Sequence, residues 1–199
     1  DGDLILILAD VAGKGMPAAI LTSIVHGTFR GHEPFCKKPS DVLSKISRHI
    51  YQDLERADTF VTAIVMRCLQ KQGGFEYASA GHVDALLWHN EDQEIEFLPA
   101  TGIPLGIDPE YSYQTNSVDL HPGDLVLVYS DGLTEAEDPD GKVLGLQGLS
   151  DIIYATHPAH AEDQIETIRL GLEVHRQGLP ARDDVALLLF RCIHAMDGK

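Results

Sequence analysis

Three groups of acidic residues stand beside apolar runs of strand length: Asp10 after Leu4 to Ala9, Asp131 after Leu125 to Ser130, and Asp183-Asp184 ahead of Val185 to Phe190. A strand end presents its side chain at the rim of a rigid sheet. Carboxylates converging there repel one another unless a cation neutralises them. Oxygen donors without Cys or His suit hard, octahedral Mg or Mn ions better than zinc. Each aspartate alone reads better as a turn residue, because Asp before Gly is among the commonest turn pairs. The repetition, together with the words around these residues, is what favours a metal centre.

Charge points the same way. Fifteen Lys plus Arg against 31 Asp plus Glu give a net charge of -16, a field that repels nucleic acid and anionic lipid. It also repels phosphate esters, so phosphate chemistry on this chain needs a local inversion of sign, which divalent cations supply. Cys36, Cys68 and Cys192 are scattered and suggest neither a disulfide framework nor a zinc site, which fits a reducing cytoplasm. The ten histidines include no HExxH or close pair at ligand spacing. No run approaches the ~18 apolar residues of a membrane span, and no signal peptide is visible. Gly13-Lys14-Gly15 lacks the frame of a P-loop, and there is no GxSxG elbow or CxxxxxR loop.

The elements that must position these residues follow from periodicity. Leu4 to Ala9 reads as a strand buried on both faces. From Pro17, residues Ala18, Ile20, Leu21, Ile24, Val25 and Thr28 recur at helical spacing, with breakers at Gly31 and Pro34. Ser40 is the expected N-cap of a second helix whose stripe is Val42, Leu43, Ile46, Ile50 and Leu54. Short β-type segments follow at 60–69, 74–80, 83–89, 94–98, 112–120 and 124–129, punctuated by Gly, Asn, Asp and Gln, and they read as an antiparallel meander. Residues 148–155 and 163–174 look helical, and 184–193 is a final strand returning to the core. With 199 residues and 44% hydrophobic content, one α+β domain spanning 1–199 is expected. The chain opens at Asp1 without Met and enters an apolar run at once, as a piece of a longer, multidomain protein would.

Recognition rests on words in order: Ala9-Asp10-Val11-Ala12-Gly13-Lys14-Gly15-Met16-Pro17-Ala18-Ala19, Asp58-Thr59-Phe60-Val61-Thr62, Ser79-Ala80-Gly81-His82, Gly102-Ile103-Pro104-Leu105-Gly106, Tyr129-Ser130-Asp131-Gly132-Leu133-Thr134-Glu135-Ala136 and Arg182-Asp183-Asp184-Val185-Ala186. Over nearly the whole chain they resemble the SpoIIE-like branch of the protein phosphatase 2C superfamily. The resemblance implies an αββα sandwich, two antiparallel sheets flanked by helices, with the acidic site at one edge between the sheets. It implies a metal-dependent serine/threonine phosphatase that hydrolyses phosphoserine or phosphothreonine with a metal-activated water. Asp10, Asp131 and Asp183 would be catalytic, and Asp10, the Val11 carbonyl, Asp131 and Asp183 would hold two Mn2+ or Mg2+ ions. A one-residue slip would exchange Asp183 for Asp184. Arg182, and less so Lys14, could meet the substrate phosphate, or each is a solvated loop cation. His82 reads as a turn histidine holding its loop, and Gly13 and Gly15 as residues of special backbone geometry.

The resemblance further implies a phosphorylated protein partner, an anti-anti-sigma factor, and an upstream sensor or receiver domain; a homodimer is compatible. One departure stands out. The family carries an upstream Gly-Asp-aromatic-aromatic-Asp strand, and Gly2-Asp3 lies too close to Asp10 to serve. The covered chain is thus expected to be N-terminally truncated, with a defective metal site and a sheet edge uncovered. Two other readings stay open: a pseudophosphatase module that binds a partner without turnover, and a phosphoesterase acting on small molecules.

Overall fold

The computed structural model describes residues 3–32, 36–69, 74–156 and 161–193. They form eight strands and four α-helices, which fall into two compact units. The first comprises the chain up to Asp84 together with Pro99–His121. The second comprises Ala85–Leu98 and Pro122–Ile193.

In the first unit the sheet runs β1-β2-β3-β6, from β1 (Leu4–Val11), β2 (Val61–Leu69), β3 (Gly74–Ala80) and β6 (Asn116–Asp119), with every neighbour antiparallel. The meander read from the sequence is divided, because the chain leaves this sheet after β3 and returns only at β6, which is shorter than 112–120. β1 is the terminal strand and is half-buried along most of its length, with only Val11 buried. The apolar run therefore serves an edge, not a position covered on both faces. β2, rich in β-branched residues, takes the central place and holds Val61 and Ala63 to Met66 at 0–1% exposure.

Helix α1 (Met16–His32) turns Leu21, Val25, Thr28 and Phe29 inward. Ile20, expected in that stripe, is exposed, since it lies about 100° round the helix from Leu21. Helix α2 (Pro39–Arg56) buries the whole expected stripe and packs on β2 and β3. Its N-cap is Lys38, with Pro39 in the first turn. Ser40 does not cap. Its own N–H donates to the Thr115 hydroxyl (3.1 Å), which in turn donates to the Ser40 hydroxyl (2.8 Å). A side chain from far along the sequence thus satisfies one of the free donors of the first turn.

In the second unit the sheet runs β5-β4-β7-β8, from β4 (Ala85–His89), β5 (Glu94–Leu98), β7 (Leu125–Tyr129) and β8 (Leu187–Arg191), again antiparallel throughout. β7 is buried at every residue. β8 is shorter than 184–193 and half-buried, as the end strand of the sheet. Helices α3 (Gly145–Thr156) and α4 (Ala161–Arg176) pack on each other, and α4 packs on β8. Trp88 lies edge-on to Tyr154 with ring centroids 5.5 Å apart. Among the described residues, no helix is long and apolar enough to cross a membrane.

Candidate functional site

Asp10 and Val11 end β1, opposite Thr62 and Val61. The end of the strand is tied on two sides. Ala12 N–H donates to the Phe60 carbonyl (3.1 Å), and the Thr59 hydroxyl donates to the Ala12 carbonyl (2.8 Å). Val61 and Leu105 exchange a pair of backbone bonds of 3.0 and 2.9 Å. The two words at 58–62 and 102–106 therefore brace the end of β1. Asp10 and Thr62 are directly opposed, which puts their side chains on one face of the sheet. The Thr62 hydroxyl lies 3.3 Å from Nδ1 of His82, a buried residue whose backbone N–H donates to the Ser79 hydroxyl. Gly13 and Gly15 have φ of 114° and 75° with open space around them, so backbone conformation accounts for both. Lys14 between them is exposed.

In the second unit Asp131 follows β7 and opens a 3-10 turn, Asp131–Leu133. The acidic pair lies in the loop ahead of β8 and not at the strand itself, which begins only at Leu187. The Ser130 hydroxyl donates to the Asp184 carbonyl (3.1 Å) and accepts the Ala186 N–H (2.9 Å). A Cβ on Gly132 would meet the Asp184 carbonyl oxygen at 2.4 Å and the Asp183 Cβ at 3.5 Å. Glycine is therefore required by close approach. These contacts hold Asp131 beside the 183–184 loop. Asp183 accepts the N–H of Asp184 (2.8 Å), and both are exposed. Arg182 forms an ion pair with Glu137.

Two of the expected ligands, Asp131 and Asp183, are thus brought together in one unit, with Asp184 adjacent, while Asp10 and Val11 belong to the other. Among the described residues no group of three or more His, Cys, Asp or Glu is close enough to hold an ion. One atom nevertheless has the character of a metal ligand: Oδ1 of Asp131 is buried and has no hydrogen-bond partner. A desolvated carboxylate oxygen without a donor is costly. A hard cation is the partner that suits it, and the all-oxygen donor set fits one. The residues that sequence reasoning left without a role are Thr59, Thr62, Ser130 and Gly132. Their signal was present, as hydroxyls and a glycine inside the very words that carry the acids.

Residues 1–193 match the family described as Stage II sporulation protein E (SpoIIE). The chain belongs to the SpoIIE family. Among curated relatives, it is 30% identical over 186 residues to the phosphoserine phosphatase RsbU of Bacillus subtilis (strain 168), an alignment that covers 94% of this chain and 55% of the relative. The chain spans about half the length of the curated relatives it matches. Among solved structures, the SiaA-PP2C domain of Pseudomonas aeruginosa superposes with a TM-score of 0.82 at 20% identity, covering 96% of this chain and 80% of that one. The catalytic domain of the serine threonine protein phosphatase PstP, solved in complex with two manganese ions, gives 0.66 at 14% identity, covering 96% and 88%. The fold of this SpoIIE-family chain is accordingly the α+β sandwich of protein phosphatase 2C-like domains.

Proposed function

We propose that the protein carrying this SpoIIE-family chain is a metal-dependent serine/threonine phosphatase, with Asp10, the Val11 carbonyl, Asp131 and Asp183 as its proposed ligands. The observation that carries the reading is the buried, unpartnered Oδ1 of Asp131, held next to Asp183 at a turn that two backbone bridges fix. Asp131 and Asp183 would be the ligands of Mn2+ or Mg2+ that the second unit supplies. Bound divalent ions would supply the activated water and neutralise the charge of the phosphoryl group. The work of the chain is positional: Asp131 stands on the 3-10 turn, and Asp10 stands on a strand end braced by Thr59 and Leu105. Arg182, held by Glu137, would exchange that carboxylate for a phosphate. We take the substrate to be a phosphoserine on a partner protein, by analogy with the phosphoserine phosphatase RsbU, and that partner to be the anti-anti-sigma factor that the sequence resemblance implies.

The test is manganese-dependent phosphate release from a phosphoserine protein by the full-length protein, with Asp131→Asn alongside. The expected result is loss of at least a hundredfold in rate in the variant. Release that ignores manganese or survives the substitution would refute the reading, and preferential turnover of nucleotides would transfer it to small-molecule substrates.

A further inference from the structure

In a regular antiparallel ladder, a hydrogen-bonded pair of residues exchanges two backbone bonds. Tyr129 and Leu187 are the last pair of β7 and β8, and Ser130 with Ala186 would be the next. Only one of the two bonds forms there: Ser130 N–H donates to the Ala186 carbonyl (3.0 Å). The Ala186 N–H does not return to the Ser130 carbonyl but goes to the Ser130 hydroxyl, 2.9 Å away, and that hydroxyl passes its own proton to the Asp184 carbonyl at 3.1 Å. The released Ser130 carbonyl accepts the Leu133 N–H (3.1 Å) and closes the turn that begins at Asp131. Ser130 is 5% exposed, so water does not substitute for these bonds.

We infer that Ser130 is a positioning residue, whose side chain replaces a backbone carbonyl at the end of the ladder and so converts strand into turn at the position that sets Asp131 against Asp183. This deepens the proposed function and rests on it for the identity of the ion. The hydroxyl is needed as acceptor and donor at once, which alanine cannot supply and threonine can. A serine satisfied merely as a buried core residue would need only one of these partners and would not free its carbonyl for the turn.

The experiment compares wild type, Ser130→Ala and Ser130→Thr in the full-length protein by two measurements. Amide hydrogen exchange without metal is expected to show loss of protection at Ala186 and Leu133 in Ser130→Ala and retention in Ser130→Thr. Calorimetric titration with manganese is expected to show affinity about tenfold weaker in Ser130→Ala and near normal in Ser130→Thr, as removal of outer partners of metal ligands commonly does. Unchanged exchange in Ser130→Ala would overturn the inference, and so would lost protection with unchanged manganese affinity, or a threonine variant that behaves like alanine. Wild-type protein that takes up no manganese would overturn the metal reading itself and the positioning role with it, a failure separable from the others because exchange is read without the ion. Should Ser130→Ala not fold, Ser130→Cys, which keeps the volume but offers only weak hydrogen bonding, carries the same two measurements.

Discussion

Gly132→Ala is the most discriminating perturbation of the second unit. The added Cβ would sit 2.4 Å from the Asp184 carbonyl oxygen, so that oxygen must retreat by roughly 0.6 Å to reach the 3.0 Å below which real Cβ contacts essentially never occur. It cannot swing freely, because it accepts the Ser130 hydroxyl, which also holds the Ala186 N–H. Overpacking of this kind costs about 1–3 kcal/mol, and weakening one or two buried hydrogen bonds adds about 1 kcal/mol each. Against this, replacing glycine where φ is ordinary stabilises by about 0.4–1 kcal/mol through the unfolded chain. The net expectation is a loss of about 1–4 kcal/mol. Trp88, the single tryptophan, is buried in the second unit, so its fluorescence during urea unfolding reads this loss where it arises. Gly27→Ala in α1 is the control of opposite sign: a Cβ there meets nothing within 4 Å, and the helix should gain about 0.5–1 kcal/mol, read by far-ultraviolet circular dichroism. A Gly132→Ala protein within about 0.5 kcal/mol of wild type would refute the claim that this glycine is required by the approach of the 183–184 loop.

Two further expectations concern the first unit. Arg67 binds Asp3 through Nε and Nη2 (3.1 and 2.6 Å), pairs with Glu76 at 3.6 Å and donates to the Lys37 carbonyl. All three side chains are largely covered, so Arg67→Ala should destabilise by about 3 kcal/mol by removing the cation from a covered acidic cluster; a loss under about 1 kcal/mol in urea unfolding followed by circular dichroism would show the cluster to be solvated instead. Burial pushes the Tyr113 hydroxyl from 10.0 up to about 12, with Ser47 opposing it. The raised value means that the neutral phenol supports the fold fully below pH 10 and that this support is lost as pH rises from 10 toward 12. Alkaline titration should show one tyrosinate step well above the ordinary range, accompanied by unfolding and absent in Tyr113→Phe.

Periodicity was sufficient for the helices and for most strands because burial follows from spacing: the α2 stripe is buried as read, and β7 is covered throughout as its apolar run requires. What it could not supply was neighbourhood. Leu4 to Ala9 is as apolar as a central strand, yet its position at the end of β1-β2-β3-β6 leaves it half-buried, and an order of strands is a long-range fact. Ser40 was a good cap by type, but Thr115 arrives from another segment and takes over its first-turn donor. The acidic residues stood out in the sequence as candidates for chemistry, while the hydroxyls of Thr59 and Ser130 beside them were legible only as letters of the same words.

That division has a physical reason. A carboxylate that serves the proposed cation must be left without protein donors, as Oδ1 of Asp131 is, and an unpaired buried oxygen destabilises the turn that bears it. The turn can persist only if bonds that do not touch the carboxylate hold it. Ser130 makes backbone bridges to Asp184 and Ala186, and the Asp131 carbonyl, not its side chain, accepts the Glu135 N–H at 2.8 Å. At β1 the backbone is likewise held by a side chain, Thr59, which grips the Ala12 carbonyl beyond Asp10. Rigid backbone and uncommitted carboxylate are therefore one requirement, and the side chains that satisfy it must lie next to the acids in sequence or across the ladder from them.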